Sequence, residues 1–478
     1  MTIQEYIDKQ YDGSATWFME EVNQKNHVAR IAGVVANMDY LAGRHKVLGR
    51  EDCYYKGKVL KTRKTILNYA KTVLRFHDTF LLGKKVSLSS KDNETVNTFN
   101  DIYRLGQYET VDYQILDRVN KFGDAYEVVY IDNGVIKSKV LDSACSYPVY
   151  DELGEYLAFI EHWTDVFTSI TYWNVYYPTY VEHWSNEGAD EHLVSTTMSI
   201  GLPIHYHNFS DEDYNYGVSM LTDIKPILDE LEDVMSKMGD AIYVNSLNPM
   251  NVAIGQRIES SIPSTAVGYV LNLDAGDYKV VSASMDYNTI KLYLDNLKQM
   301  LNDISCIPSV LGSSTNIANV SSVAMQILYA MAQVNADETK KWLDIGFRER
   351  FERFKKILSM QGISVESDVD VIYNVSMPVA TTEMIENLKA LQEMGAISKE
   401  TIMEKSDIVS DVEVEKKRLS GENVSQNVAQ KVDNPSKEVG INKCFTECFT
   451  SEVKLASICG ISKVICTLYI DAFCFTDH

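Results

Sequence analysis

No stretch of this chain is apolar enough for long enough to cross a bilayer. The best candidate, Ala318 to Val334, is broken by Asn319, Ser321, Ser322 and Gln326. A crossing needs about 20 consecutive apolar residues, so no membrane contact is expected. Cysteine is nearly missing as well. The first 440 positions hold only Cys53, Cys145 and Cys306, which excludes a disulfide framework and suits a reducing compartment. Five more, Cys444, Cys448, Cys459, Cys466 and Cys474, crowd the last 38 positions. Their spacing matches no common zinc pattern. The N-terminal MTIQEYIDKQYDG is polar and charged, so no secretory signal is expected.

Positive charge is in short supply. There are 45 Lys and Arg against 67 Asp and Glu, a formal net charge of −22. Affinity for nucleic acid comes largely from Lys and Arg on phosphates, so tight binding over a large surface is disfavoured. Weak or sliding contact with DNA stays open, and acidity also serves solubility alone.

Catalytic signatures are absent too. LLGKKVS contains Gly83-Lys84, but no Gly stands five residues earlier and no Ser or Thr follows, so it is no phosphate loop. GRHKVLG spaces its glycines wrongly for a dinucleotide fingerprint. Neither a Gly-x-Ser-x-Gly elbow nor a His-Glu-x-x-His helix occurs. His205 and His207 in LPIHYHN share one face of a strand, as two metal ligands would. No third ligand lies nearby, so structural histidines are the better reading. No catalytic residue, metal or cofactor is expected.

What is present describes a folded protein of more than one domain. The chain has 478 residues, 45% hydrophobic and 23% charged, with 29 Tyr, too long for one ordinary core. VLKTRKTILNYAKTVLRFHDTFLLGKK predicts a helix, with Ile66, Tyr69, Ala70, Val73, His77 and Phe80 on one face and Gly83 as its stop. Its basic cluster, Lys56, Lys58, Lys61, Arg63 and Lys64, reads as a solvated face or an acid-complementary subunit contact, and less readily as a phosphate contact. From Ala125 the period becomes two. AYEVVYIDNGVIKSKVL carries Asp132-Asn133-Gly134 between two strand-like runs, a hairpin signal. YLAFIEHW, SITYWNVYY and TYVEHW add strands to a mostly antiparallel region.

Helical periodicity returns at Leu221. Leu221, Ile224, Leu228, Leu231, Val234, Met235 and Met238 form a stripe, and Asp223, Asp229, Glu230, Glu232 and Asp233 the other face. A β-like insert runs from about Asn245 to Ser284. A helix from Asp286 to Ile304 follows, with Ile290, Leu294, Leu297, Leu301 and Ile304 as a seam for a neighbouring helix. Then nothing from Ile304 to Ala336 is charged. The first half, IPSVLGSSTNIANVSS, reads as a polar loop, and the rest opens a long helix through Trp342, Ile345, Phe351, Phe354 and Leu358. Ser321 or Ser322 is placed to cap that helix. The strand VDVIYNVSMP, a helix with Ile385, Leu388, Leu391 and Met394 that Gly395 ends, and a short helix after the capping box Ser410–Glu413 complete the order. A polar linker covers about 420–442.

This order, and the local patterns in it, resemble the portal protein of tailed double-stranded DNA bacteriophages, of the long-tailed type found in phages and prophages of Gram-positive bacteria. DYLAGRHKVLGRE holds Tyr40 and Gly43, similar to the family's Tyr-x-x-Gly segment. ILNYAKTVLRFHDTFLLGKKV, GDAYEVVYIDNGVIKSKVLDSACSYPVYD, LPIHYHN, ISCIPSVLGSSTNIANVSSVAMQ and MPVATTEMIENLKALQEMGAISKETIMEK follow in the family's sequence order. The likeness covers roughly residues 20 to 415. Ser321-Ser322 departs from the Ser-Gly often found before the long helix. The tail from about Val439 has no counterpart; it is a lineage-specific extension or the product of a shifted reading frame.

The resemblance implies an α+β portal fold with a β-rich wing, a two-helix stem, a small α/β clip insert, a long wing helix and a helical crown. The boundaries would be 1–215 wing, 216–243 first stem helix, 244–284 clip, 285–306 second stem helix and 307–321 tunnel loop. After these come 322–378 long wing helix and strand, 379–440 crown and linker, and 441–478 the Cys-rich tail. It implies a homo-oligomeric ring of twelve at the capsid vertex of the virion, assembled in the host cytoplasm, through which DNA is packaged and ejected. Expected partners are translocating double-stranded DNA, the terminase large subunit, head-completion or adaptor proteins, and capsid and scaffolding proteins. Ser313, Ser314, Thr315, Asn316 and Asn319 of the tunnel loop would face DNA, and Asp223, Asp229, Glu230 and Asp233 would include channel-lining residues. Another capsid or head–tail adaptor protein is the alternative, and an uncharacterised hydrolase acting in morphogenesis is a third reading. Read alone, the uncharged stretch is also compatible with a plain surface loop before a buried helix.

Overall fold

The computed structural model describes residues 1–55, 58–188, 190–211, 213–242, 250–255, 276–281, 286–308, 322–376 and 381–405, with five single positions between 412 and 419. The polar loop at 309–321, most of the insert, Ser410, Glu413, the linker and the Cys-rich tail lie outside the described residues. The chain divides into two compact units, Met1–Asn387 and Leu388–His478.

The first unit opens with helices α1 (Ile3–Tyr11), α2 (Trp17–Glu21) and α3 (Lys25–Leu41), a two-stranded ribbon β1 (Cys53–Tyr55) and β2 (Lys58–Leu60), and α4 (Tyr69–Leu82). Strand β3 (Ser87–Ser90) precedes α5 (Asn93–Gly106) and α6 (Tyr108–Phe122). The β-rich part follows: β4 (Asp124–Asp132), β5 (Val135–Val140), β6 (Ser146–Tyr150), β7 (Tyr156–Thr164), β8 (Thr171–Tyr176), β9 (Tyr180–Ser185), β10 (His192–Met198) and β11 (Ile204–His207). Then come α7 (Leu221–Ala241), β12 (Met250–Ile254), β13 (Asp277–Val281), α8 (Tyr287–Ile304), α9 (Ser322–Leu328), α10 (Ala330–Met360), β14 (Val369–Ile372) and α11 (Thr381–Glu393). This is the mixed α+β architecture the sequence implies.

Every strand pairing among the described residues is antiparallel. The larger sheet has the order β10-β9-β8-β7-β6, the smaller β11-β4-β5. The β4–β5 hairpin turns at Asn133 (φ 51°) and Gly134 (φ 80°), the left-handed pair that an Asn-Gly turn supplies without strain. Strands β3 and β14 pair across most of the unit.

Three departures from the sequence reading have clear causes. The segment before Tyr69 is not helical; residues 58–60 are strand, 61–67 lie in neither helix nor strand, and Asn68 turns into α4. Side chains of α7 take its backbone amides, as described below. The long helix is interrupted at Tyr329 (φ −93°, ψ 2°), where the ring stacks on Phe80 with centroids 5.9 Å apart and meets Phe76 at a tilt, 6.3 Å away. Glu232 is not on a polar face but fully buried.

One core joins α5, α6, β4, β11 and α10 through Phe99, Ile115, Tyr206, Phe347 and Phe354. At its centre sits a fully buried Arg350. Its Nε donates to Glu127 Oε2 at 2.9 Å, and a second nitrogen donates to Asp112. Tyr206 donates its hydroxyl to the same Glu127 oxygen at 2.6 Å. Burial pushes the Asp112 carboxyl up to about 6 against the pull of Arg350. A second core packs α1 and α2 on the five-stranded sheet through Trp17, Phe18, Val149 and Trp173.

In the second unit, Gly395 (φ 68°) terminates α11 and Ala396 donates back to the Leu391 carbonyl at 2.9 Å, a glycine C-cap. The next helix, α12 (Lys399–Lys405), is capped by Ser398, whose Oγ accepts the Thr401 amide at 3.2 Å.

Candidate functional site

Two long helices separated by a β insert set the site. The apolar stripe of α7, Leu221, Ile224, Leu228 and Leu231, meets Leu297 and Leu301 of α8 and Ala70, Val73 and Leu74 of α4 in one core. The seams read from periodicity therefore find each other. At about 1.5 Å per residue a helix of about twenty residues spans 30 Å, and α7 has 21. Tyr293 of α8 donates its hydroxyl to Glu230 at 3.0 Å, which fixes the level of one helix against the other.

The extended strap ahead of α4 runs along α7. Its alternate amides are each accepted by an α7 side chain. Arg63 donates to Asp240 at 2.7 Å, Thr65 to Ser236 Oγ at 2.9 Å and Leu67 to Glu232 at 2.7 Å. Two extended residues advance roughly 6.6 Å and four helical residues about 6.0 Å. The two repeats nearly match, so three successive bonds form without distortion. This replaces the helix expected at 59–68. His45, stacked on Tyr40 with centroids 4.0 Å apart, gives Nδ1 to the same Glu232 oxygen at 2.6 Å. Arg50 reaches Asp233 at 3.6 Å and Asp240 at 3.1 Å.

A second buried histidine holds the end of α8. His77 Nε2 lies 2.7 Å from the Ser305 carbonyl, so the nitrogen donates. Burial lowers its pKa, while the bond to the Ser305 carbonyl pulls the other way. The helix closes with Cys306 at φ 53° and Ile307 donating to the Asn302 carbonyl at 3.0 Å. This is a Schellman turn with a residue other than glycine in the left-handed position. Both helices therefore hang from the body on buried histidines, and neither histidine was singled out for this from the sequence. No periodic signal marks His45 or pairs it with Glu232.

The four acidic candidates on α7 separate into two pairs. Asp223 and Glu230 are exposed, roughly two turns apart, off the buried stripe on the flank that Tyr293 of α8 reaches. Asp229 and Asp233 lie on a flank and are half-buried. Asp233 faces Arg50 and Lys237, the latter at 2.5 Å. Asp223 has no ion pair among the described residues. Ser313, Ser314, Thr315, Asn316, Asn319 and Ser321 lie outside the described residues. Ser322 is the first residue of α9.

His205 and His207 do lie together, ring centroids 5.2 Å apart. Both His205 nitrogens are engaged, Nε2 with Asp124 at 2.8 Å and Nδ1 with the Tyr150 hydroxyl at 2.5 Å. Among the described residues no group of three or more His, Cys, Asp or Glu is placed to hold a metal. No helix among them is long and apolar enough to cross a membrane.

No curated protein sequence matches this chain. Among solved structures, a chain in the neck of an empty GTA particle, computed with C6 symmetry, is similar at 12% identity. It covers 70% of this chain and 89% of that one, with a TM-score of 0.46. A chain in the neck of a native GTA particle, computed with C12 symmetry, is 11% identical. It covers 69% of this chain and 87% of that one, with a TM-score of 0.42. The model of the family described as phage portal protein, SPP1 Gp6-like, matches residues 22–428. That span is most of the 478 residues, and the chain belongs to this family of phage portal proteins.

Proposed function

We propose that twelve copies of this portal protein close into a ring at one capsid vertex and conduct double-stranded DNA during packaging and ejection, without catalysis of their own. The observation that carries this reading is the pair α7 and α8, joined by an apolar seam and carrying exposed Asp223 and Glu230 outside that seam. Parallel stems around an axis would form a channel, and outward acids would meet the DNA. A Lys-lined channel would hold phosphates through counterion release, whereas carboxylates keep contact shallow. Asp223 and Glu230 are the better channel-lining candidates, because Asp233 is already neutralised by Arg50 and Lys237.

In this assignment residues 1–215 and 322–378 form the wing and 216–243 and 285–306 the stem. The insert 244–284 is the clip, which docks the terminase motor and later the head-completion proteins. The uncharged loop at 307–321 touches DNA through Ser, Thr and Asn side chains, and 379–440 forms the crown. Capsid and scaffolding proteins are the remaining partners, and assembly takes place in the host cytoplasm. Negative-stain microscopy of the purified protein tests the reading: rings with a central hole are expected. Discrete particles without a hole would favour a capsid or adaptor role, and nucleotide or peptide turnover by pure protein would favour an enzyme.

A further inference from the structure

We infer that the ring closes through a charge-matched contact between the outer face of α8 in one copy and the basic strap–α4 face of the next; this rests on the ring reading above. Among the described residues nothing packs on the outer face of α8. Leu292 is 63% exposed and Met300 50% exposed. At about 100° per residue, Leu292, Asp295 and Asp303 lie on the side away from buried Leu297 and Leu301, with Met300 on one flank and exposed Lys291 and Lys298 on the other. Asp295 and Asp303 are exposed and have no ion pair among the described residues. An exposed leucine between two unpaired acids fits a partner surface that brings basic groups to those acids.

The same chain carries one on another side of α7. The strap docks on the side bearing Glu232, Ser236 and Asp240, whereas α8 meets the apolar stripe. Lys61 on the strap and Lys71 and Arg75 on α4 point outward and have no ion pair among the described residues. Leu48, 41% exposed, lies beside the strap, where its carbonyl holds Lys64 at 2.9 Å. Of the outward-pointing cations, Lys61 belongs to the cluster that the sequence raised as a solvated face or an acid-complementary contact.

The two faces are level. Leu67 of the strap meets Glu232, and Glu230, about 3 Å along the same helix, meets Tyr293 beside Leu292. Rotation about an axis parallel to the stem keeps that level. The faces differ in chemistry and in side, so they fit a head-to-tail contact that repeats and closes, not a two-fold dimer.

Charge reversal tests this. Asp295→Lys with Asp303→Lys is expected to shift the sedimenting species from rings to monomers or short arcs, with unchanged circular dichroism. Lys71→Glu with Arg75→Glu should do the same. Mixing the two double variants should restore rings, because alternating copies would present only opposite charges at every contact. Combining all four changes in one chain should restore them as well. Intact rings in either double variant would overturn the contact, and so would two ring-deficient variants that never rescue each other. If the unaltered protein forms no rings, the ring reading fails first and this contact with it.

Discussion

Leu67 and Glu232 stand 165 residues apart, yet the Leu67 amide donates to Glu232 Oε1 over 2.7 Å, and that oxygen also takes His45 Nδ1 at 2.6 Å. One buried carboxylate thus ties the strap, the turn after α3 and helix α7 at a single point. Its neighbours Ser236 and Asp240 continue the attachment one turn at a time.

Glu232→Ala should leave a buried amide and a buried imidazole without their acceptor. Unpaired buried polar groups cost about 1–3 kcal/mol each, so a loss of about 2–5 kcal/mol is expected in denaturant unfolding. Ser236→Ala, which removes one acceptor at a less crowded point, should cost about 1 kcal/mol. Equal effects of the two would show that Glu232 is not the anchor.

Arg350→Met removes the cation that faces Glu127 and Asp112 in the core. Breaking a buried ion pair from one side typically costs about 3–5 kcal/mol. Arg350→Lys should not rescue it, since a lysine cannot serve both carboxylates with the geometry of a guanidinium. Thermal unfolding of the three proteins side by side measures this.

Asp78 is buried, and desolvation raises its carboxyl to about 7 while the Asn120 amide, 2.7 Å away, pulls it down. The unfolded chain releases this proton near the ordinary value of about 4. Between these values folding takes up a proton, so this group's contribution is complete below about pH 4 and falls as pH rises through 7. Asp78→Asn keeps an acceptor for Asn120 and cannot ionise. It should match the unaltered protein near pH 4 and exceed it in stability at pH 8. A variant less stable than its parent at pH 8 would contradict the assignment.

Cys306→Gly should raise the unfolding midpoint. A residue with a side chain at φ 53° carries a penalty of about 1 kcal/mol in the left-handed region, and glycine removes it. The gain is partly offset by the entropy glycine adds to the unfolded chain, so a modest rise is expected. A fall would mean that the thiol side chain itself holds the end of α8.

Asn316→Lys tests the uncharged loop. A cation there would grip passing phosphates. Packaging should slow or stall while rings assemble normally by microscopy. Unchanged packaging in normal rings would return this loop to an ordinary surface connection.

The sequence alone determined what period and turn chemistry control. The hairpin at Asn133-Gly134, the two seams of α7 and α8, and the Gly83 and Gly395 stops are local properties, and each reappears in the structure. Family membership was legible in the same way, from the order of segments. Tertiary structure decided what depends on distant partners. Residues 61–68 carry helical periodicity but become a strap, because α7 offers acceptors at a spacing that suits extended chain. Glu232 reads as a solvent-facing acid, and only the arrival of His45 and Leu67 makes its burial affordable. Arg350, Glu127 and Asp112 lie far apart in the chain. A buried charge is stable only with its partners in place, and no local pattern names those partners.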